Sequence, residues 1–400
     1  MQVRVTKLIL KMAGVSRGRS KFLCSRLVRS IRNLSTSGRL LDEHKCVAVE
    51  EAESFIERCM RAVGTPKEHC RALSQVLVAG DARGHFSHGL NRLEMYVHDI
   101  EVGTTVLEGK PEVVNETSAT ALVDGNNLLG PVVGNFCNEL AMKKAQDTGI
   151  GWVVCRGSNH YGIAGWYTMK AVEQGLIGMS LTNTSPLVVP TRAREVTVGT
   201  NPISVAAPGK DGDSFVLDMA TSSVALGKIE MANRKGVEIP HGWGVDSTGQ
   251  ETVYPDKVLT GGGQLPLGGM EITSGFKGYG LAVMVEVFCG ILSDAAFGPN
   301  IRRWSGDERV ANLGQCFVAL NPSVFAAGFE DRMQSLMDHL RNLKPIEGES
   351  AVLVAGDPER EHMRKVEQDG GIHYHINLLS AMDKLADRLN VPRMPTVTKE

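Results

Sequence analysis

The sequence predicts an α/β fold on a mixed or parallel sheet, and three observations predict it. From residue 120 onward, short apolar runs alternate with stretches of helical period, the pattern of strands joined by crossover helices. Residues 47–102 read as helix throughout. Glycine is abundant at 44 of 400 residues while Phe, Trp and Tyr supply only 5%, which suits tight turns and close backbone approaches. At 42% hydrophobic and 22% charged, the chain is long enough for two or three folded domains.

Each element follows from its local pattern. Apolar residues at Val47, Val49, Phe55, Ile56, Cys59 and Val63 keep helical spacing over 47–63, and Thr65-Pro66 opens a second helix through 79. After the Gly84-His85-Phe86 break, an amphipathic segment covers 87–102. A strand at 120–122, a helix at 130–146, a strand at 152–155, a helix at 162–174 and a strand at 177–181 carry the alternation. Further strands fall at 203–207 and 215–217, and helices at 221–233 and 278–293. Residues 261–269 form a glycine-dense linker, and a helix at 378–389 precedes a polar tail.

Charge is unevenly distributed. Residues 1–40 carry ten basic side chains, six serines and no acid, leaving 33 basic against 45 acidic groups, a net of −12, for the remainder. Such an acidic body argues against a nucleic-acid partner. The leader has the chemistry of a mitochondrial presequence, with Leu23, Leu27 and Ile31 opposite Arg26, Arg29 and Arg32; a basic arm without regular structure is the other reading. The eight cysteines never come closer than eleven positions, so no C-x-x-C pair exists, and they read as reduced, mostly buried thiols of an intracellular protein. The longest apolar run, 281–292, is interrupted by Glu286 and is too short to span a bilayer.

Several familiar signatures are missing. G-x-G-x-x-G, G-x-x-x-x-G-K-S/T, H-E-x-x-H and G-x-S-x-G do not occur, so a cofactor enzyme here is not of the Rossmann kind. Four other motifs can carry chemistry. His88, Arg92 and Tyr96 stand at i, i+4 and i+8, which on a helix lines one wall with an imidazole, a guanidinium and a phenol. Arg grips planar carboxylates and His titrates near neutrality, so the wall suits an acid whose proton must move. A solvated helix face with Arg92 paired to Glu94 or Asp99 is the bland alternative. His85 and His88 lack a third ligand at metal spacing, and no metal is expected.

The loop Gly157-Ser158-Asn159-His160-Tyr161-Gly162 follows an apolar strand and offers His160 as a general acid or base, or as a turn-stabilising hydrogen bonder. Asp218 ends another strand, where it can accept from a ribose hydroxyl, and Thr221 or Ser222 can cap the next helix. Lys277 beside Gly278 and Gly280 sets a cation among exposed N–H groups at a helix start, or is simply a charged helix opening.

Together, and in this order, Ser87-His88-Gly89 with Arg92 and Tyr96, 157–162, 199–202, 218–222, 227–229 and 277–281 resemble the malate/L-lactate dehydrogenase-like oxidoreductases. This group, distinct from the Rossmann lactate and malate dehydrogenases, includes malate, L-lactate, sulfolactate and ureidoglycolate dehydrogenases. The resemblance covers residues 45–390. It implies a non-Rossmann, mixed-sheet nicotinamide-binding domain over 116–295, with a second, helical substrate domain from 45–115 and 296–390. It implies hydride transfer between NAD or NADP and C2 of a small 2-hydroxy or 2-oxo acid, in a homodimer. By position it makes His160 the proton carrier, with His88 the other candidate, and gives substrate binding to Ser87, Arg92 and Tyr96. Cofactor contacts carry over to Thr184, Asp218, Met219, Ala220, Lys277, Gly278, Gly356 and Glu359, with Arg192 and Arg194 the basic candidates for a ribose phosphate. A cyclic imino acid reductase, and a catalytically silent cofactor-binding scaffold, are the alternatives.

Overall fold

The computed structural model describes residues 43–304 and 309–397. After strand β1 (His44–Val47), helix α1 (Val49–Ala62) turns Ala52, Phe55, Ile56, Cys59 and Met60 inward at helical spacing. It packs on α2 (Lys67–Ala82). Then come α3 (Leu93–Glu101), β2 (Glu112–Glu116), β3 (Thr120–Asp124), α4 (Gly130–Thr148) and β4 (Ile150–Ser158). They are followed by α5 (Gly165–Val172), β5 (Ile177–Thr182), β6 (Ile203–Pro208), β7 (Ser214–Met219) and α6 (Leu226–Lys235). A small sheet of β8 (Gly244–Val245), β9 (Glu251–Thr252) and β10 (Gly263–Gln264) is interrupted by α7 (Pro255–Leu259). The chain ends with α8 (Gly275–Glu286), β11 (Leu313–Leu320), α9 (Phe329–Arg341), α10 (Asp357–Asp369), β12 (Ile372–His375) and α11 (Ile376–Leu389).

The large sheet has seven strands in the order β2-β3-β4-β11-β5-β6-β7, and β3–β4 is its parallel pair, bridged by α4; the other neighbours run antiparallel. The alternation expected from the sequence is thus a mixed sheet. Period-2 burial splits its strands between two cores. Val153, Cys155 and Phe317 face α4 and α5, while Val154, Cys316 and Val318 face the layer of α8 and the π-turn Val287–Ile291 that extends it. Alpha helices therefore cover both faces. A separate core joins α1, α2 and α3 to β12 and α11 through Phe55, Leu73, Leu77, Val97, Tyr374 and Leu385, and β12 pairs with β1.

This arrangement corrects the expected domain division at one place. Residues 313–320 were expected in the second domain with the rest of 296–390, yet β11 is the central strand of the large sheet, and α9 packs on β6 and β7. Its near-continuous apolar run, buried from Leu313 through Ala319, is what a strand covered on both faces requires.

Candidate active site

The segment expected to be one amphipathic helix over 87–102 is broken. Two short 3-10 turns, Phe86–His88 and Leu90–Arg92, precede α3, with Gly89 in a non-helical conformation (φ −106°, ψ −140°) between them. The reason is local. The Leu90 N–H donates to Asp81 Oδ2 (2.8 Å), and a Cβ at Gly89 would lie 1.8 Å from Asp81 Oδ1, so the backbone bends over a buried carboxylate that only glycine can approach. His88, Arg92 and Tyr96 therefore do not share one helix face.

They converge nonetheless, because the loop after β4 brings His160 to them. That loop sits on the start of α4: a Cβ at Gly130 would be 2.2 Å from the His160 carbonyl oxygen. The Tyr96 hydroxyl lies 2.5 Å from His160 Nδ1 and 3.1 Å from the His160 carbonyl oxygen. The rings of His88 and His160 stack at 18° with centroids 5.7 Å apart. Ser87 Oγ meets His88 Nδ1 at 2.8 Å, and Arg92 Nε donates to the Ser87 carbonyl at 2.7 Å. With Nδ1 of each imidazole engaged, the Nε2 atoms and the terminal nitrogens of Arg92 are what remain to meet a ligand. The alternative pairing of Arg92 with Asp99 is excluded, since Asp99 Oδ2 binds Arg302 (2.5 Å) and Trp304 Nε1 (3.1 Å).

Both imidazoles are held neutral. Burial, with Arg92 and His85 nearby, brings His88 down to about 4, and burial, with His88 and Arg92, depresses His160 well below its usual value. Burial likewise raises the Tyr96 phenol, which stays protonated.

Expected cofactor positions gather in two groups. Asp218, half-buried, accepts from the Gly165 N–H (2.7 Å), and desolvation holds its carboxyl above its ordinary value. With Glu359, Arg83 and His85 it lines a narrow cleft walled by Ile163 and Val216. His85 Nε2 and Glu359 stand 3.6 Å apart. Gly356 opens α10 next to the Ala355 carbonyl, which accepts from Val216 of β7. The second group runs from Thr184, whose N–H donates to Asn201 and whose hydroxyl meets Thr200, through Thr221 to Leu267 and Gly278, with Met219 and Ala220 leading into Thr221. Thr221 does not cap α6, which starts at Leu226; its hydroxyl donates to the carbonyls of Thr200 and Asn201, and Ser222 Oγ donates to the carbonyl of Val224. Lys277 is exposed in the first turn of α8, and no contact joins it to the histidines among the described residues. Arg192 is committed to an exposed ion pair with Glu271.

Sequence reasoning missed Trp304 and its supports. Its ring stands edge-on to His160 with centroids 6.4 Å apart, under the buried Arg302 guanidinium. Nothing local marks residues lying 140 positions from the loop they complete. Among the described residues no group of three could hold a metal ion, the seven described cysteines are buried, and no helix is long and apolar enough to cross a membrane.

Neutral imidazoles, a guanidinium and a cleft with carboxylates in its wall are the groups that an oxidoreductase acting on a small acid would use. The chain belongs to the malate/L-lactate dehydrogenase family, which it matches over residues 47–383. It is 39% identical over 345 residues to a malate dehydrogenase of Pyrococcus abyssi, covering 86% of this chain and 94% of that one. It is 32% identical to the ureidoglycolate dehydrogenase (NAD(+)) of Escherichia coli K12 across 81% of this chain and 91% of the relative. The solved malate dehydrogenase of Pyrococcus horikoshii OT3 superposes with a TM-score of 0.81 at 36% identity, covering 88% of this chain and 97% of that one. Relatives carry NAD(+) or NADP(+) in their names, and the chain is an NAD(P)-dependent 2-hydroxy acid dehydrogenase of this malate, sulfolactate and ureidoglycolate type.

These matches correct the expectation of a mitochondrial address. The malate, sulfolactate and ureidoglycolate dehydrogenases of Pyrococcus, Methanothermus, Methanocaldococcus and Escherichia coli that it matches are archaeal and bacterial enzymes, and they point away from that compartment. The basic segment that suggested it, 1–40, lies outside the described residues.

Proposed function

We propose that this enzyme interconverts a short 2-hydroxy acid such as malate or lactate and its 2-oxo acid, with His160 as the proton carrier. The observation that carries the reading is the Tyr96–His160 contact of 2.5 Å beside the stacked His88, with Arg92 held to Ser87 next to them. Nicotinamide, when bound, accepts or supplies the hydride at C2. The chain's residues do the rest. Tyr96 and, at 3.4 Å, the Gly162 N–H both meet His160 Nδ1; in the tautomer the reaction needs, Nδ1–H turns to Tyr96, whose own hydroxyl donates to the His160 carbonyl, and Nε2 takes the C2 hydroxyl proton and in the reverse direction returns it. Arg92, its Nε fixed, presents its terminal fork to the substrate carboxylate and so aims C2. Ser87 holds His88 in register as the second imidazole.

Asp218 and Glu359 fit ribose hydroxyls, and Thr184, Met219, Ala220, Lys277, Gly278 and Gly356 are the further cofactor contacts that the family resemblance implies. The cofactor is NAD or NADP. A second copy of the chain covers the apolar stripe Phe276, Val283, Val287, Ile291 and Leu292, which α8 and its π-turn leave exposed, and makes a homodimer.

Nicotinamide absorbance with purified protein and a panel of 2-oxo acids tests the reading. Turnover of oxaloacetate or pyruvate is expected; activity confined to cyclic imino acids would move the chemistry to nitrogen, and binding without turnover would leave a scaffold.

A further inference from the structure

Asp81 is buried and sits in the last turn of α2, where an acid is doubly unfavourable: the helix C-terminus is negative, and an interior carboxylate loses its water. Its Oδ2 accepts from the Leu90 N–H and from the Tyr374 hydroxyl, each at 2.8 Å. Its Oδ1 has no partner and rests against Gly89. One residue earlier on the helix, a Cβ at Gly80 is 3.3 Å from the His88 carbonyl oxygen. The backbone of 88–90 is thus laid directly on the end of α2. Tyr374 belongs to β12, and its ring stands edge-on to Phe86 with centroids 6.2 Å apart. One carboxylate therefore ties helix, histidine turn and C-terminal strand together. An apolar side chain would fill this volume at lower cost, but it would strand the Leu90 N–H that opens the turn leading to Arg92.

From this geometry we infer that Asp81 is a positioning residue for the reaction: by fixing Gly89–Leu90 it sets His88 against His160 on one side and Arg92 on the other. The inference rests on the roles given to those residues in the proposed function. Burial also pushes the Asp81 carboxyl up to about 7, in keeping with a group that has no cation beside it.

Asp81→Leu keeps the bulk and removes the accepting oxygen, so that the Leu90 N–H is left without its partner. Its kcat/KM for the 2-oxo acid is expected to fall by about 10- to 100-fold, the loss that a misplaced reacting group brings. The KM for NADH and the stoichiometry of NADH binding, read by fluorescence, should stay unchanged. Tyr374→Phe, which removes one donor and keeps the ring, should move the same quantities less, and it serves if Asp81→Leu does not fold. A crystal structure of the variant should show the His88 ring displaced from its 5.7 Å stacking on His160. A lowered Tm with kcat per NADH-binding site unchanged would overturn the inference, as would an unmoved His88. A wild-type enzyme silent toward every 2-oxo acid would overturn the proposed function instead, and the crystallographic comparison would still decide the role of Asp81.

Discussion

Replacing His88 should change how stability depends on pH, by an amount the structure sets. An imidazole in an unfolded chain titrates near 6.5, whereas His88 in the folded protein titrates at about 4. Between those values the unfolded chain takes up a proton that the folded one refuses. The contribution of neutral His88 is therefore fully present above pH 6.5 and is lost as pH falls toward 4. At pH 5 the loss is about 2 kcal/mol, approaching about 3 kcal/mol at the acid limit. Wild-type stability alone does not reveal it, because Asp81, raised to about 7, titrates in the opposite sense: its folded form binds a proton through the window from 3.8 to 7, so stability grows as pH falls. The comparison must therefore be between wild type and His88→Gln, in which the Asp81 contribution is common to both proteins. Urea unfolding at pH 7.5 and pH 5.0 should give a stability difference between the two proteins that shifts by about 2 kcal/mol in favour of the variant at the lower pH. An equal pH response in both proteins would mean that His88 is solvated and ionises freely, and the neutral imidazole wall would be wrong.

Other outcomes follow from the same geometry. Arg92→Leu should raise KM for short acids by about 10- to 100-fold with NADH affinity unchanged, measured by initial rates, since a charge-assisted hydrogen bond contributes about 1.5–3 kcal/mol. The acid limb of kcat/KM for 2-hydroxy acid oxidation should fall below pH 6.5, because both imidazoles of the free enzyme are depressed. Asp99→Leu should destabilise by about 3–5 kcal/mol in chemical denaturation, because it leaves the buried Arg302 guanidinium without its carboxylate.

The elements were legible wherever a period was sustained. α1, α4 and β4 each carry a clean 3.6- or 2-residue repeat, and the strand-then-loop signal before His160 located that side chain on a connection leaving the sheet. What defeated the reading was long-range. The 87–102 segment keeps helical spacing, yet Asp81, itself held by the Tyr374 hydroxyl from far along the chain, captures the Leu90 N–H and breaks it. β11 was grouped with its sequence neighbours because no residue in 313–320 records that it inserts between β4 and β5. Trp304 and Arg302 were invisible for the same reason: their partners, His160 and Asp99, are distant in sequence. Glu286, which reads as a flaw in an apolar run, is explained by Asn183 and Asn201, whose side-chain amides donate to it at 3.1 and 2.9 Å.

The central claim is that His160 moves the substrate proton beside the nicotinamide. Single-turnover absorbance with NADH and a saturating 2-oxo acid, comparing wild type with His160→Ala at equal NADH occupancy, tests it most directly. The account predicts a chemical step slowed by about 10²- to 10⁴-fold. A rate for His160→Ala within about twofold of wild type, well below the effect of losing a general acid–base, would contradict it.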